Sequence, residues 1–152
     1  MSDSLADRLQ SDLTTAMKAR DTVTTRTLRM AIAAVKEARV AGDAARDLSD
    51  ADVEAVLRTQ VKRREEAATA FRDGGREASA AAEEAERDVL AGYLPAALDA
   101  GELAAIVDEV LAAEGCSAPS DMGRAMKAVM AATDGRADGK VVSGLVKSRL
   151  AG

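Results

Sequence analysis

The sequence predicts an all-α protein, with a four-helix N-terminal hairpin array followed by a small three-helix C-terminal domain. The strong helix formers Ala, Leu, Glu, Arg and Lys are abundant along the chain. Apolar residues recur at three- and four-residue intervals, and no strand-like alternation persists. Glycine and proline interrupt this pattern at the expected helix ends. We place the domain boundary at Pro95, giving domains 1–94 and 95–152.

The first hairpin is predicted from two amphipathic segments separated by a polar turn. The first helix should run from about Ser4 to Arg20, and Asp21 should cap a second helix that reaches roughly to Val40. Their core-facing residues follow helical spacing. These are Leu5, Leu9, Leu13, Ala16 and Met17 in the first helix, and Val23, Thr27, Leu28, Ala31, Ile32 and Val35 in the second.

The second hairpin should begin at Ser49, which with Asp52 forms a capping-box-like start. Its first helix should stop at residues 73–75, Asp-Gly-Gly. The next helix should run from near Arg76 to Gly92, with Pro95 ending it.

Two groups of basic residues in the N-terminal domain can each be interpreted in two ways. We expect the 62–64 block, Lys-Arg-Arg, to pair along its own helix surface, with Lys62 facing Glu66 and Arg58 facing Glu54. The strip of Arg26, Arg29 and Lys36 is expected to be a solvated face. Contact with nucleic acid is the alternative for both sets.

The C-terminal domain should contain one helix capped by Asp99 and ended by Gly115, then a helix opened by Pro119 or Ser120. Its apolar face is expected to comprise Leu103, Ile106, Val107, Val110 and Leu111.

The last two helices form the hairpin to which we assign the function. Met122, Met126, Val129 and Met130 should make one apolar stripe, with Arg124 and Lys127 facing away from it. The following turn is expected to have Gly135 in the left-handed conformation and Asp138 as a helix cap. Arg136 would then lie beside a helix N-terminus with Lys140 on its first turn, a corner suited to an anion. The last helix should bury Val141, Val142, Leu145, Val146 and Leu150.

Charge is unevenly distributed along the chain. The net charge is −5, from 21 basic and 26 acidic residues. From Gly115 onward six residues are basic and three acidic, giving +3, which leaves 15 basic and 23 acidic residues before it, or −8. This asymmetry favours a polyanionic partner for the C-terminal hairpin.

The run D-M-G-R-A-M-K-A-V-M and the following G-R-A-D-G-K-V-V resemble the C-terminal part of the YqeY family. The resemblance extends over nearly the whole chain, including the start L-A-D-R-L-Q-S-D-L-T-T-A-M-K-A-R-D and Tyr93-Leu94-Pro95. The same hairpin looks like the tail domain of the B subunit of the tRNA-dependent amidotransferase. The residues that carry these likenesses are Gly123, Met126, Lys127, Gly135, Ala137, Asp138, Gly139 and Val142, whereas that tail usually has Leu at 142 and Asn at 143.

The amidotransferase tail contacts tRNA, and the chemistry of that enzyme belongs to domains this chain lacks. The resemblance therefore implies binding rather than amidation. It also suggests an aminoacyl-tRNA or amidotransferase complex as a partner. Carbon–nitrogen ligase activity with glutamine as amide donor would follow from the family name alone.

Several function classes are disfavoured by composition. The chain has no histidine and one cysteine, which excludes an internal disulfide, a Cys/His zinc cluster and histidine-based acid–base catalysis. We find no catalytic constellation and expect no metal or cofactor, and we read Cys116 as incidental. No stretch is apolar for long enough to span a bilayer and no signal segment is evident, so we expect a cytoplasmic protein.

The sequence-based hypothesis is a non-catalytic tRNA-binding accessory protein. Phosphate contacts are assigned to Arg124, Lys127, Arg136, Lys140 and Lys147. The alternative is a protein–protein adaptor that docks through its N-terminal helices. Gly123 and Gly144 are expected to allow close packing of neighbouring helices; a surface cleared for a nucleic-acid backbone is the other reading.

Overall fold

The computed structural model describes residues 4–151, and within that range it contains helices and connecting segments but no strands, which confirms the all-α class. Two compact units divide the chain, one up to Leu94 and one from Pro95. The first contains α1 (Leu5–Lys18), α2 (Thr22–Arg39), α3 (Asp50–Asp73) and α4 (Glu77–Ala91). The second contains α5 (Ala100–Glu114), a single 3₁₀ turn (Pro119–Asp121), α6 (Met122–Thr133) and α7 (Gly139–Leu150).

The N-terminal unit packs around leucine and valine side chains contributed by all four helices. The α3–α4 hairpin is its most extensive helix pair, and α2 contacts both of these helices. Burial of this apolar surface is the main stabilising contribution to the unit. The buried cluster comprises Leu5, Leu9, Leu13, Leu28, Ala31, Val35, Val53, Leu57 and Leu90.

Helix starts in this unit follow the local sequence closely. Asp21 accepts a hydrogen bond from the Thr24 backbone N–H at 3.0 Å, as expected for the cap of α2. Ser49 and Asp52 bond reciprocally at 3.1 Å, so the capping box of α3 is confirmed. The predicted end of α4 near Gly92 is confirmed, since the helix stops at Ala91 with Gly92 as its cap, three residues before Pro95.

Two predicted core residues of the first hairpin are wrong. Met17 is 49% exposed and Val23 is 37% exposed. Both lie in the helix turns nearest the α1–α2 connection, where the helices have few neighbours. The sulfur of Met17 instead lies 3.8 Å from a guanidinium nitrogen of Arg29.

The basic block on α3 is only partly a surface feature. Arg58 pairs with Glu54 at 3.8 Å, as predicted. No Lys62–Glu66 ion pair forms within the described residues. Arg64 is only 5% exposed, and its Nε lies 3.4 Å from Glu86 on α4, which is itself buried.

The C-terminal unit is built from α5, α6 and α7 in mutual contact. Asp99 accepts from the Glu102 backbone N–H at 2.7 Å, and Gly115 ends α5 in the left-handed conformation, so both predicted boundaries of this helix are confirmed. The buried cluster comprises Leu103, Val107, Leu111, Cys116, Ala125, Val129, Val142, Val146 and Leu150.

Several details of the C-terminal core differ from the prediction. Met130 is 36% exposed and Val141 is 59% exposed, whereas Ala125 and Thr133 are fully buried. The buried side of α6 is therefore centred closer to its small residues Ala125 and Thr133 than to Met130. Cys116, which the sequence analysis interprets as incidental, is a buried residue of this core.

Among the helices of residues 4–151, only α2 and α3 reach eighteen residues, and both carry too many charged side chains to lie across a bilayer.

Candidate functional site

The turn between α6 and α7 has a tightly defined backbone. The predicted left-handed glycine is confirmed, since Gly135 has φ of 74°. Asp134 before it is also left-handed, with φ of 46°, and caps α6. Asp138 caps α7 as predicted, because its Oδ1 accepts from the Lys140 backbone N–H at 2.7 Å. These caps fix the last residue of α6 and the first residue of α7, and so they fix the positions of the basic residues on either side of the turn.

Arg136 makes a structural contact inside the C-terminal unit. Its Nε donates to the carbonyl oxygen of Ala96 at 3.0 Å, and its own carbonyl accepts from the Leu98 backbone N–H at 2.8 Å. The side chain is only partly exposed. Arg136 thus holds the segment before α5 against the α6–α7 turn, and its guanidinium is not fully available to an anion.

The positive charge of Arg124 is partly balanced by a neighbouring carboxylate. Its Nη2 donates to Asp121 Oδ1 at 3.2 Å. The pKa of the Arg124 guanidinium is raised above its ordinary value, first by its contact with the Cys116 thiol and then by the Asp121 carboxylate. Arg124 therefore lies beside the loop that joins α5 to the 3₁₀ turn.

Asp121 organises that loop. Its Oδ2 accepts from the backbone N–H groups of Ser117 at 2.9 Å and Ala118 at 3.1 Å. These hydrogen bonds, followed by the charge of Arg124, lower the pKa of the Asp121 carboxyl. No structural role is predicted for Asp121 in the sequence analysis above, although an Asp three positions after Ala118 and two after Pro119 is a capping signal.

The three lysines of the unit are in a different situation. Lys127, Lys140 and Lys147 are exposed. Within residues 4–151, none of them has a carboxylate oxygen within 4.0 Å of its ammonium nitrogen; the two ion pairs of this unit are formed by arginines, Arg124 with Asp121 and Arg149 with Asp108. The structure therefore separates the five predicted contact residues into three unpaired lysines and two engaged arginines.

Helical spacing brings these lysines onto adjoining faces of α6 and α7. Lys127 and Met130 are three residues apart on α6, and Lys140 and Lys147 are two turns apart on α7, so each pair shares a face. The terminal carbon of Met130 lies 3.9 Å from the position that a Cβ would take at Gly139, next to Lys140. This contact places the side of α6 that carries Met130 and Lys127 next to the first turn of α7. We call this surface, formed by Lys127, Met130, Lys140 and Lys147, the lysine face.

Two helical glycines lie within one turn of these lysines. Gly123 precedes Lys127 by four residues, and Gly144 lies four after Lys140 and three before Lys147. A Cβ built at either glycine meets no other atom within 4 Å, so close helix packing, the expected explanation, is wrong. The remaining motif residues Met126 and Ala137 pack against the core.

The family comparison agrees with the residue pattern of this hairpin. The sequence model of the family described as Yqey-like protein matches residues 6–150, which is nearly the whole chain. None of the curated proteins matches the chain in sequence.

Proposed function

This chain belongs to the Yqey-like protein family, and from that premise we propose that it is a non-catalytic RNA-binding protein whose ligand is tRNA, alone or in a tRNA-handling complex. The observation that carries the proposal is the set of three exposed, unpaired lysines on the lysine face. An ammonium group without a carboxylate partner keeps its charge available to a phosphate, and phosphate contacts supply most of the sequence-independent affinity for nucleic acid.

The contact set is narrower than the five residues named from sequence. Lys127, Lys140 and Lys147 are the proposed phosphate contacts. Arg124 and Arg136 support the face indirectly, because one braces the loop before α6 and the other anchors the chain before α5. Phosphate contacts of this kind position the RNA backbone without reading its sequence.

The choice of tRNA, and of an amidotransferase or aminoacyl-tRNA complex as partner, rests on the likeness of the hairpin to the amidotransferase tail. Carbon–nitrogen ligase activity has weaker support. The cysteine that might act as a nucleophile is buried, and the chain has no histidine to activate it.

The composition of the chain provides a matched test of the proposal. It has six lysines, three in each unit, and all six are exposed. The test variant is Lys127→Gln/Lys140→Gln/Lys147→Gln, and the control is Lys18→Gln/Lys36→Gln/Lys62→Gln. Both remove three positive charges from the same residue type, so they change the net charge equally.

Binding of total tRNA to the full chain should be measured for both variants by fluorescence anisotropy at fixed salt. We expect the C-terminal variant to lose at least about tenfold in affinity, because each phosphate contact contributes a salt-dependent electrostatic term. The N-terminal control should bind nearly as the wild type does. Equal losses in both variants would mean that only net charge matters, and the lysine face would not be the site.

The adaptor alternative has one supporting observation in the N-terminal unit. Met17 and Met30 are each about half exposed, at 49% and 48%, and methionine is common at adaptable protein-binding surfaces. A protein that is recovered stoichiometrically with the chain after nuclease treatment, and lost on Met17→Gln/Met30→Gln substitution, would favour this alternative. Loss of the partner on nuclease treatment alone would favour RNA.

A further inference from the structure

The chemistry of the lysine face restricts the kind of RNA that it can recognise. Unpaired bases are usually held by stacking on aromatic rings or guanidinium planes. Residues 95–152 contain no Phe, Tyr, Trp or His. The three arginines of this unit are engaged with Asp121, with the Ala96 carbonyl and with Asp108. The face therefore offers charge and no group that has been freed for stacking.

The aromatic residues of the chain lie in the other unit and have partners there. The Phe71 ring is contacted by the Arg76 guanidinium at 5.3 Å from its centroid. The Tyr93 hydroxyl donates to Asp12, and Arg8 lies 5.3 Å from the ring centroid. Neither ring is presented as a free platform for a base.

Besides its positive charge, the lysine face has two glycines beside it that no neighbouring residue covers. Gly123 and Gly144 leave the main chain of α6 and α7 without a side chain beside each lysine row, and open space lies where their Cβ atoms would be. Glycine is a poorer helix former than alanine, and Gly144 lies in the middle of α7 whereas Gly123 lies in the first turn of α6. The missing side chains allow an RNA backbone to approach the helices closely. The rigid backbone of a duplex benefits from this space, whereas a flexible single strand could move around the methyl group of an alanine.

Resting on the proposed function, we propose that the lysine face binds double-helical RNA through the ribose–phosphate backbone of a stem, and does not recognise unpaired loop nucleotides. Three unpaired ammonium groups on two adjoining helices offer several positive charges to the closely spaced phosphates of a duplex. The salt dependence also differs between the two forms, with a slope of about −0.9 per contact for a duplex and about −0.7 for a single strand. For three contacts, the slope is about −2.7 for the duplex and about −2.1 for the single strand, so the duplex gains more affinity as the salt concentration falls.

The test compares a short blunt-ended RNA duplex of mixed sequence with each of its strands alone, at equal concentration of nucleotides, using the full chain. We expect the duplex to bind more tightly than either strand, and the ratio of the two affinities to increase about twofold between 200 and 50 mM salt. The preference should disappear in Lys127→Gln/Lys140→Gln/Lys147→Gln and persist in Lys18→Gln/Lys36→Gln/Lys62→Gln.

Either strand binding as tightly as the duplex would overturn this inference while leaving the RNA-binding function standing. A duplex preference that survives in the C-terminal lysine variant would also overturn it, since the preference would then arise elsewhere. Failure of the wild-type chain to bind the duplex, its strands and total tRNA would refute the proposed function itself.

Discussion

Lysine and arginine have different roles in the α6–α7 hairpin because their side chains differ in geometry. The planar guanidinium of Arg136 makes a directed hydrogen bond to a carbonyl, and that of Arg124 bonds to Asp121. The ammonium groups of Lys127, Lys140 and Lys147 are exposed and free of carboxylate partners within the described chain. A compact ammonium on a flexible stem can follow a phosphate at varying positions, whereas the planar guanidinium makes directed hydrogen bonds.

The two uncovered glycines should affect stability and binding in opposite directions. Gly123→Ala/Gly144→Ala should stabilise the C-terminal unit by up to about 1 kcal/mol per site, because alanine is the better helix former and its methyl group meets no neighbour. The same methyl groups should weaken binding of duplex RNA by holding the helices away from the phosphates. Amide hydrogen exchange in α6 and α7 reports the first effect, and anisotropy titration the second.

A slower exchange rate with unchanged RNA affinity would show that the glycines are not part of the binding surface. Ala131→Gly, which creates the reverse change at an exposed position of α6, serves as the control. It should speed exchange in α6 without improving RNA binding.

Asp121 should make the loop before α6 sensitive to acid. Its folded-state pKa is lowered by the backbone N–H groups of Ser117 and Ala118. Its stabilising contribution is therefore fully present above its unfolded pKa of about 3.9 and is lost as the pH falls through the lower folded value. Asp121→Asn should unfold more readily at pH 6 and should lose less stability than the wild type between pH 6 and pH 3.

Urea unfolding midpoints at the two pH values measure this difference. Glu109→Gln is the control, since Glu109 is exposed on α5 and its side chain makes no hydrogen bond or ion pair within the described residues. If both variants respond to acid as the wild type does, Asp121 does not stabilise the loop through its charged form.

At the scale of helices, the local signals were sufficient for most boundaries. Asp21, Ser49, Asp99 and Asp138 each cap the helix that the sequence assigned to them, because a cap depends only on residues within one turn. Helix faces were predicted less well. Val141 was expected in the core and is exposed, since which flank of a helix is covered depends on its neighbours and not on its own period.

Arg64 shows most clearly what the sequence could not reveal. Its own helix offers Glu65 and Glu66, and a local reading keeps the guanidinium on the surface. In the fold it is buried against Glu86, twenty-two positions away on α4, and Glu86 also accepts from Arg26 at 2.9 Å. Only the pairing of α3 with α4 brings these groups together, so no local pattern predicts the contact.

The Arg64–Glu86 pair should contribute strongly to the α3–α4 hairpin. Glu86→Gln would leave the Arg64 charge buried without a carboxylate, and breaking a buried ion pair on one side costs about 3 kcal/mol or more. The measurement is urea unfolding of the full chain, monitored by far-UV circular dichroism. Arg64→Met/Glu86→Leu should recover part of the loss, because an apolar pair carries no unpaired charge.

A Glu86→Gln variant as stable as the wild type would contradict this assignment. Glu84→Gln provides a control on the same helix, because Glu84 pairs with Arg72 at a more exposed position. Its effect should stay below about 1 kcal/mol, as for other exposed ion pairs.

At the scale of the whole chain, the positive charge is localised to a smaller region than the sequence count indicated. The unit from Pro95 onward contains six basic and eight acidic residues, a net charge of −2, because α5 and its cap are acidic. Subtracting these from 21 and 26 leaves 15 basic and 18 acidic residues before it, a net charge of −3. Neither unit is cationic overall, so attraction of a polyanion depends on the local arrangement of the lysine face.

The candidate site was predictable in outline and not in detail. The resemblance and the charge count both indicate the last hairpin, and both include Lys127, Lys140 and Lys147. The pairing of Arg124 with Asp121 follows an i,i+3 spacing that the prediction overlooked. The contact of Arg136 with the Ala96 carbonyl joins residues forty positions apart, and no local pattern predicts it.

The most direct measurement of the central claim is the salt dependence of tRNA binding by the full chain. Three phosphate contacts predict a slope of log affinity against log salt of about −2.7, which is about a 40-fold loss between 50 and 200 mM. In Lys127→Gln/Lys140→Gln/Lys147→Gln the slope should be reduced by about one unit per lysine removed, while Lys18→Gln/Lys36→Gln/Lys62→Gln should keep the wild-type slope. An unchanged slope in the first variant, or a flattened slope in the second, would contradict the assignment of the lysine face as the RNA-binding surface.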